Sequence, residues 1–224
     1  MHLNSYLPQL GNGLILTLML TIFALILGAL LACLMTLGSL SNRVYIKHPI
    51  DVWIFFIRGT PVLVQIFLIY FGLGQFDWIR TSSLWFILKN PFACAIIALA
   101  INTSAYTTVL LKGTIQSIPE GEIMACKALG MSRYLMMRYI LFPRALRLML
   151  PAYSNEVIII LKTTSLASTI TLLDLMGITQ QIIANTYQTI PLLCLAGAIY
   201  LLFNASIIYI FKRVEKNANT YLSV

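Results

Sequence analysis

Glu156 and Lys162 stand inside a largely apolar run, YSNEVIIILKTTSLASTITLLDLMG, from Tyr153 to Gly177. A lone carboxylate or ammonium at the centre of a hydrocarbon layer costs at least about 2.5 kcal/mol, so Glu156 and Lys162 need partners or a water-filled path. Six residues apart, they lie about 120° apart around a regular helix and cannot neutralise each other along one face. Helical spacing instead groups Tyr153 and Thr163 with Glu156, and Asn155 with Lys162; Ser165 follows in the same polar stretch. A carboxylate so placed suits a cationic ligand or a gate, or else a buried structural ion pair.

Two further apolar runs carry polar groups. In FFIRGTPVLVQIFLIYFG, from Phe55 to Gly72, Arg58, Gly59 and Pro61 fall close together and should interrupt a helix. The freed backbone groups then need protein or water around them, and Thr60 and Gln65 lie beside the break. In NTSAYTTVLLKG, Asn102 and Tyr106 are four apart and share a face. Such residues either border a path or bond one helix to another.

Other chemistries lack their residues. No GxxxxGK[ST] phosphate loop occurs, and His2 and His48 have no companions at zinc-ligand spacing, so no metal site is expected. Cys33, Cys94 and Cys194 lie in apolar runs and Cys126 in a basic insert, a distribution that speaks against a disulfide framework.

The elements that must position these residues are membrane spans. With 224 residues, 59% hydrophobic and 10% charged, the chain reads as an all-α integral membrane protein. Runs of about 18 or more apolar residues are long enough to cross. Five qualify, at about 9–37, 50–74, 92–111, 148–173 and 191–211, forming one transmembrane domain over residues 1–224. The basic residues cluster beside the spans, so the net charge of +8 is not a nucleic-acid footprint. Arg43 and Lys47, the insert at 117–147, and Lys212, Arg213 and Lys216 alternate as cytoplasmic segments of a five-span chain with its N-terminus outside. No basic residue precedes Arg43, so the first run reads as a retained span rather than a cleaved signal. The outer segments, 75–90 and 179–190, are expected to be connections.

The insert, SIPEGEIMACKALGMSRYLMMRYILFPRALR, carries a net charge of +3. Ser117 and Glu120 suggest a capping box, Pro119 a first turn and Gly130 a left-handed stop, which predicts a helix over 120–129. A second helix starts at Ser132 and runs toward Pro143.

That layout resembles the EAA loop of ATP-binding-cassette importer permeases, which docks onto the ATPase subunit. The family's Glu-Ala-Ala falls on Met124, Ala125 and Cys126, its Gly on Gly130, and its Ile-x-Leu-Pro on Ile140, Phe142 and Pro143. Met124 thus stands where the family has Glu, and Phe142 where it has Leu. The RGTPxLVQ run (Arg58, Gly59, Thr60, Pro61, Leu63, Val64, Gln65), NTSAYTT and KTTSL resemble the polar amino-acid branch of histidine, glutamine and arginine importers, most of all the arginine permeases.

The resemblance implies a cytoplasmic coupling helix with contacts from Glu120, Gly121, Glu122, Ile123, Met124, Ala125, Cys126, Lys127, Leu129, Gly130, Arg133 and Pro143. It implies a substrate path bordered by Arg58, Thr60, Gln65, Asn102, Tyr106, Tyr153, Asn155, Glu156, Lys162, Thr163 and Ser165. Partners would be an ATPase dimer that holds ATP and Mg²⁺, a second copy or sister permease, and a periplasmic substrate-binding protein. The chain itself would do no chemistry and hold no cofactor. The expected function is translocation of a polar, basic L-amino acid across the bacterial inner membrane, with arginine first and histidine or glutamine as alternatives. From another class, a structural or assembly subunit would use the basic loop to hold a cytoplasmic partner. A self-sufficient secondary transporter is disfavoured, because no clear internal repeat supplies two halves.

Overall fold

The computed structural model describes residues 6–219, and His2 falls outside them. Helices account for all of the regular structure there: α1 (Leu7–Ser39), α2 (Val44–Gly59), α3 (Val62–Gln75), α4 (Pro91–Gln116), α5 (Glu120–Ala128), α6 (Arg133–Ile170), α7 (Leu175–Thr186) and α8 (Thr189–Asn219). Two single turns, Asp77–Arg80 and Trp85–Leu88, lie between α3 and α4. Among the described residues α1, α4 and α8 are each long and apolar enough to cross a membrane. The bent pairs α2–α3, at 105°, and α6–α7, at 50°, bring the number of crossings to five if each pair counts as one.

The centre of the molecule is α4. It is buried over 72% of its most apolar stretch, against 28% for α1 and 6% for α8. Pro91 sits where a missing N–H costs nothing, and the Asn90 side chain accepts from Phe92 N at 2.9 Å, so the helix starts cleanly. Small residues let α1 lie close against it: Leu20 and Ala24 of α1 pack with Ala95 and Leu99 of α4. A Cβ on Gly28 would collide with the Thr103 side chain. The buried hydroxyls of Thr17, Thr21 and Thr36 donate to carbonyls four residues back at 3.1, 2.8 and 2.7 Å, so α1 buries polar residues without orphaning them.

At the end of α1 that meets the basic connection, three helices are tied by one cluster. Lys112 Nζ of α4 donates to Asp51 Oδ1 of α2 at 3.0 Å and to Ser39 Oγ of α1 at 2.7 Å, and Ser39 Oγ donates to Asp51 at 2.6 Å. At the other end, Asp174 caps α7 by accepting from Gly177 N at 3.0 Å, while Leu175 N donates to Thr17 Oγ1 at 3.1 Å.

The run at 50–74 breaks where Gly59 and Pro61 suggested, with Thr60 and Pro61 extended and the chain turning there. Three expectations change. The run at 148–173 belongs to a longer helix that starts at Arg133, inside the insert expected at 117–147. A π-helical turn at Met137–Leu141 lets it pass Pro143, whose ring and missing N–H would otherwise stop a regular helix. Ser117 does not form the expected capping box: α4 runs to Gln116, so Ser117 ends that helix and donates to Thr114 O at 2.8 Å, leaving Pro119 at the start of α5. The segment at 179–190, expected as an outer connection, is mostly α7.

Gly13 is where α1 meets the turn before α7, and a Cβ there would stand 2.8 Å from the Asp174 carbonyl oxygen, which is backbone and cannot swing aside. A Cβ on Gly11 would meet nothing within 4 Å among the described residues. Gly13→Ala should therefore destabilise by about 1–3 kcal/mol through overpacking, whereas Gly11→Ala should be neutral or slightly stabilising. Thermal unfolding of the two purified variants in detergent reads the difference, and equal midpoints would refute the close approach.

Candidate functional site

The site is built around the break between α2 and α3. Ending α2 at Gly59 leaves its last carbonyls without N–H partners. Gln65, one turn into α3, supplies them: its Nε2 donates to Ile57 O at 2.8 Å, Thr60 O at 3.2 Å and Thr60 Oγ1 at 2.8 Å. Thr60 adds a cap of its own, Oγ1 to Phe56 O at 3.0 Å. Gln65 is buried and is held in turn by α4, with Asn102 Nδ2 donating to its Oε1 at 3.1 Å. One turn along α4, the Tyr106 hydroxyl donates to Arg58 O at 3.4 Å, and the Arg58 guanidinium lies 5.1 Å from the Tyr106 ring centroid. Asn102 and Tyr106 thus use their shared face to hold both sides of the break.

The next residue of α4 turns to the opposite neighbour. Thr103 Oγ1 donates to Glu156 Oε1 of α6 at 2.8 Å, and Glu156 is buried with only 5% exposure. Arg58 lies within electrostatic range of that carboxylate. No described residue donates to the other carboxylate oxygen. One turn of α4 therefore joins the broken span to the buried charge.

Most of the remaining polar residues of α6 do not gather there. Asn155 and Lys162 are exposed, on the side away from Glu156. Lys162 and Ser165 line a cavity of about 610 Å³ with Tyr200 and Asn204 of α8, where Asn204 Oδ1 has no hydrogen-bond partner among the described residues. Thr163 spends its hydroxyl on Ile159 O at 2.7 Å, and Ser165 on Lys162 O at 2.7 Å. Tyr153 packs with Leu111, Ala145 and Met149 and tilts against Phe211, and it lies within electrostatic range of Glu156, as their shared helical face requires. The expected polar half-cylinder on α6 is split between two places, because α4 covers only one side of the helix.

The insert forms a second site. Gly130 has φ +73°, the left-handed stop its position requires, and Met131 N closes back onto Cys126 O at 3.1 Å. Ser132 starts α6 by accepting from Leu135 N at 3.3 Å. Beneath α5, Cys126 packs with Ile118, Met136 and Leu141, and Ile123 leans on the same cluster. Those two residues therefore support the platform rather than present it. Glu120, Gly121, Ala125 and Lys127 are exposed, with Met124 at 62% and Leu129 at 81% exposure on the open surface. Glu122 forms an ion pair with Arg144, next to Pro143 on α6, and Arg133 Nη2 donates to Leu40 O at 2.9 Å.

Thr103, the Ser39–Asp51–Lys112 cluster, Asp174 and Arg144 were not singled out from sequence. Asp174 carried a readable signal, an aspartate directly before a helical run. The others pair across 12 to 73 residues of sequence, and nothing local marks them.

Residues 24–219 match the family described as "Binding-protein-dependent transport system inner membrane component". The octopine transport system permease protein OccM of Rhizobium meliloti is 44% identical over 203 residues, 91% of this chain and 83% of that protein. The arginine ABC transporter permease protein ArtM of Haemophilus influenzae is 41% identical over 213 residues, 95% of this chain and 93% of that one. A crystal structure of an amino acid ABC transporter with histidines superposes with a TM-score of 0.85 at 33% identity, covering 95% of each chain.

Gln65 satisfies several groups and Asn102 one, which sets their relative costs. A single interhelical hydrogen bond in a membrane protein averages about 0.6 kcal/mol, so Asn102→Leu should cost about that. Gln65→Leu orphans the carbonyls of the break and should cost about 2–3 kcal/mol. The double variant should cost less than the sum, because the shared bond is lost once. Unfolding midpoints that add without coupling would refute the contact.

Proposed function

The chain belongs to the binding-protein-dependent transport system inner membrane components, and from that premise we propose that it is the permease subunit of an importer for a cationic L-amino acid, arginine first among them. The observation that carries this reading is Glu156: a buried carboxylate, oriented through one oxygen by Thr103, with no hydrogen bond to the other from the described residues. A guanidinium or ammonium group entering beside α4 would complete that carboxylate with a charge-assisted hydrogen bond. Arg58 and Tyr153 lie within electrostatic range of that carboxylate, and Thr60, Gln65, Asn102 and Tyr106 hold the break beside Arg58, while Lys162, Ser165, Asn155 and Thr163 stand apart. Similarity to the permeases named for arginine and for octopine supports a substrate of this kind.

The energy would come from outside the chain. In this reading ATP and Mg²⁺ belong to a separate ATPase pair, a binding protein delivers substrate at the outer face, and a second permease completes the path in the inner membrane. The exposed face of α5 (Glu120, Gly121, Met124, Ala125, Lys127, Leu129 and Gly130) is the docking surface, with Arg133 and Pro143 at the base of α6 behind it. With Met124 where the family has Glu, the contact is apolar and depends less on salt. Motion at α5 reaches Glu156 through the Glu122–Arg144 pair and one continuous helix.

Two substitutions test the two halves. Glu156→Gln keeps shape and removes charge, so uptake of radiolabelled arginine should fall roughly tenfold to a hundredfold, more than for a neutral substrate of the same complex. Unchanged arginine uptake by a well-assembled variant would remove Glu156 from the path. Gly130→Val puts a β-branched residue at φ +73° and should cut transport by at least about tenfold and lose the co-purified ATPase, with membrane levels unchanged. Normal co-purification would refute docking at α5.

A further inference from the structure

We propose that the groove between the end of α1 and the start of α6 binds an anionic phospholipid, its phosphate on Arg138 and an acyl chain along α1. Two adjoining cavities form the groove. One, of about 270 Å³, is lined by Cys33, Leu37, Tyr134, Met137, Arg138 and Phe142. The other, of about 410 Å³, shares Leu37, Tyr134 and Met137 and adds Arg133. The shared wall is apolar, and an arginine stands beside each cavity.

Arg138 is held ready for an anion. Its Nη1 donates to the Tyr134 hydroxyl at 2.7 Å, and the guanidinium lies 6.0 and 5.7 Å from the Tyr134 and Tyr139 ring centroids. It is exposed and makes no ion pair with any described carboxylate. Both tyrosines are exposed, at 65% and 62%, the placement of aromatic residues at a membrane–water boundary.

The apolar side continues into the bilayer. Leu27, Leu30, Leu31, Leu34 and Leu37 are all exposed along one side of α1, and this stripe runs straight into the groove. A soluble anion would use the arginine but leave the stripe and cavity bare. A phospholipid matches both, with its headgroup at the basic end of the span and its chain on the leucines. The site is separate from Glu156 and from the exposed face of α5.

Native mass spectrometry of the full-length chain in detergent, with added phosphatidylglycerol or phosphatidylcholine, tests it. Phosphatidylglycerol should be retained several-fold better, and free glycerol phosphate should not displace it. Arg138→Gln should weaken phosphatidylglycerol retention about fivefold and phosphatidylcholine retention less, because choline offsets the charge of its phosphate. Met137→Trp, which fills the groove from its centre, should lower retention of both lipids. Gel-filtration positions matching the parent chain establish that the variants are folded. Equal retention of the two lipids, displacement by glycerol phosphate, or an Arg138→Gln variant that binds like the parent would each overturn the proposal. So would a Met137→Trp variant that loses self-association and keeps its lipid, which would assign the groove to a second copy.

Discussion

A charge and a broken backbone inside hydrocarbon must both be satisfied by protein, and in this chain a single turn of α4 satisfies both. Asn102 holds Gln65, which closes the open carbonyls of α2; Tyr106 holds Arg58; Thr103 holds Glu156. The most buried helix is thus also the one that carries the polar contacts. It lies close to α1 because Gly28 leaves room for Thr103, so that the side chain that supports Glu156 is itself fixed by packing. Apolar burial and polar satisfaction meet at one residue.

The same logic orders the two ends of the bundle. Beside the basic connections, Lys112, Asp51 and Ser39 pin α4, α2 and α1 together, and Arg133 ties the start of α6 to the end of α1. From Arg144, where Glu122 anchors α5, to Glu156 is about 18 Å along one helix. The helix between them is unbroken, with Pro151 inside it. The breaks in the helical backbone lie elsewhere, at the 105° bend beside Arg58 and at the left-handed Thr171 that ends α6.

The two faces of α6 are chemically different because their neighbours differ. Toward α4 stands a buried carboxylate with a hydroxyl donor; toward α8 stands an exposed amine beside a cavity that holds an unsatisfied amide oxygen. The angular separation of Glu156 and Lys162 anticipated that they would not pair. It did not say which of them would be covered.

Local features were legible in the residues themselves. Apolar run lengths marked the membrane helices, Gly130 marked the end of α5, Ser132 the start of α6, and Gly59 with Pro61 the break, because each depends on only a few neighbouring dihedrals and hydrogen bonds. The motifs around Arg58, Asn102, Lys162 and Gly130 pointed to the permease family. What only the tertiary structure decided is pairing. Ser117 reads as a cap until α4 is seen to run past its expected end; Thr103 reads as one more hydroxyl until α6 packs against it; Asp51 and Lys112 are separate charges until two helix ends meet. Ile123 and Cys126 read as docking residues until the platform beneath α5 claims them. Helical periodicity fixes the angle between side chains on one helix, but which angle faces a neighbour is set by how the helices close on one another, and that is settled by packing over the whole chain.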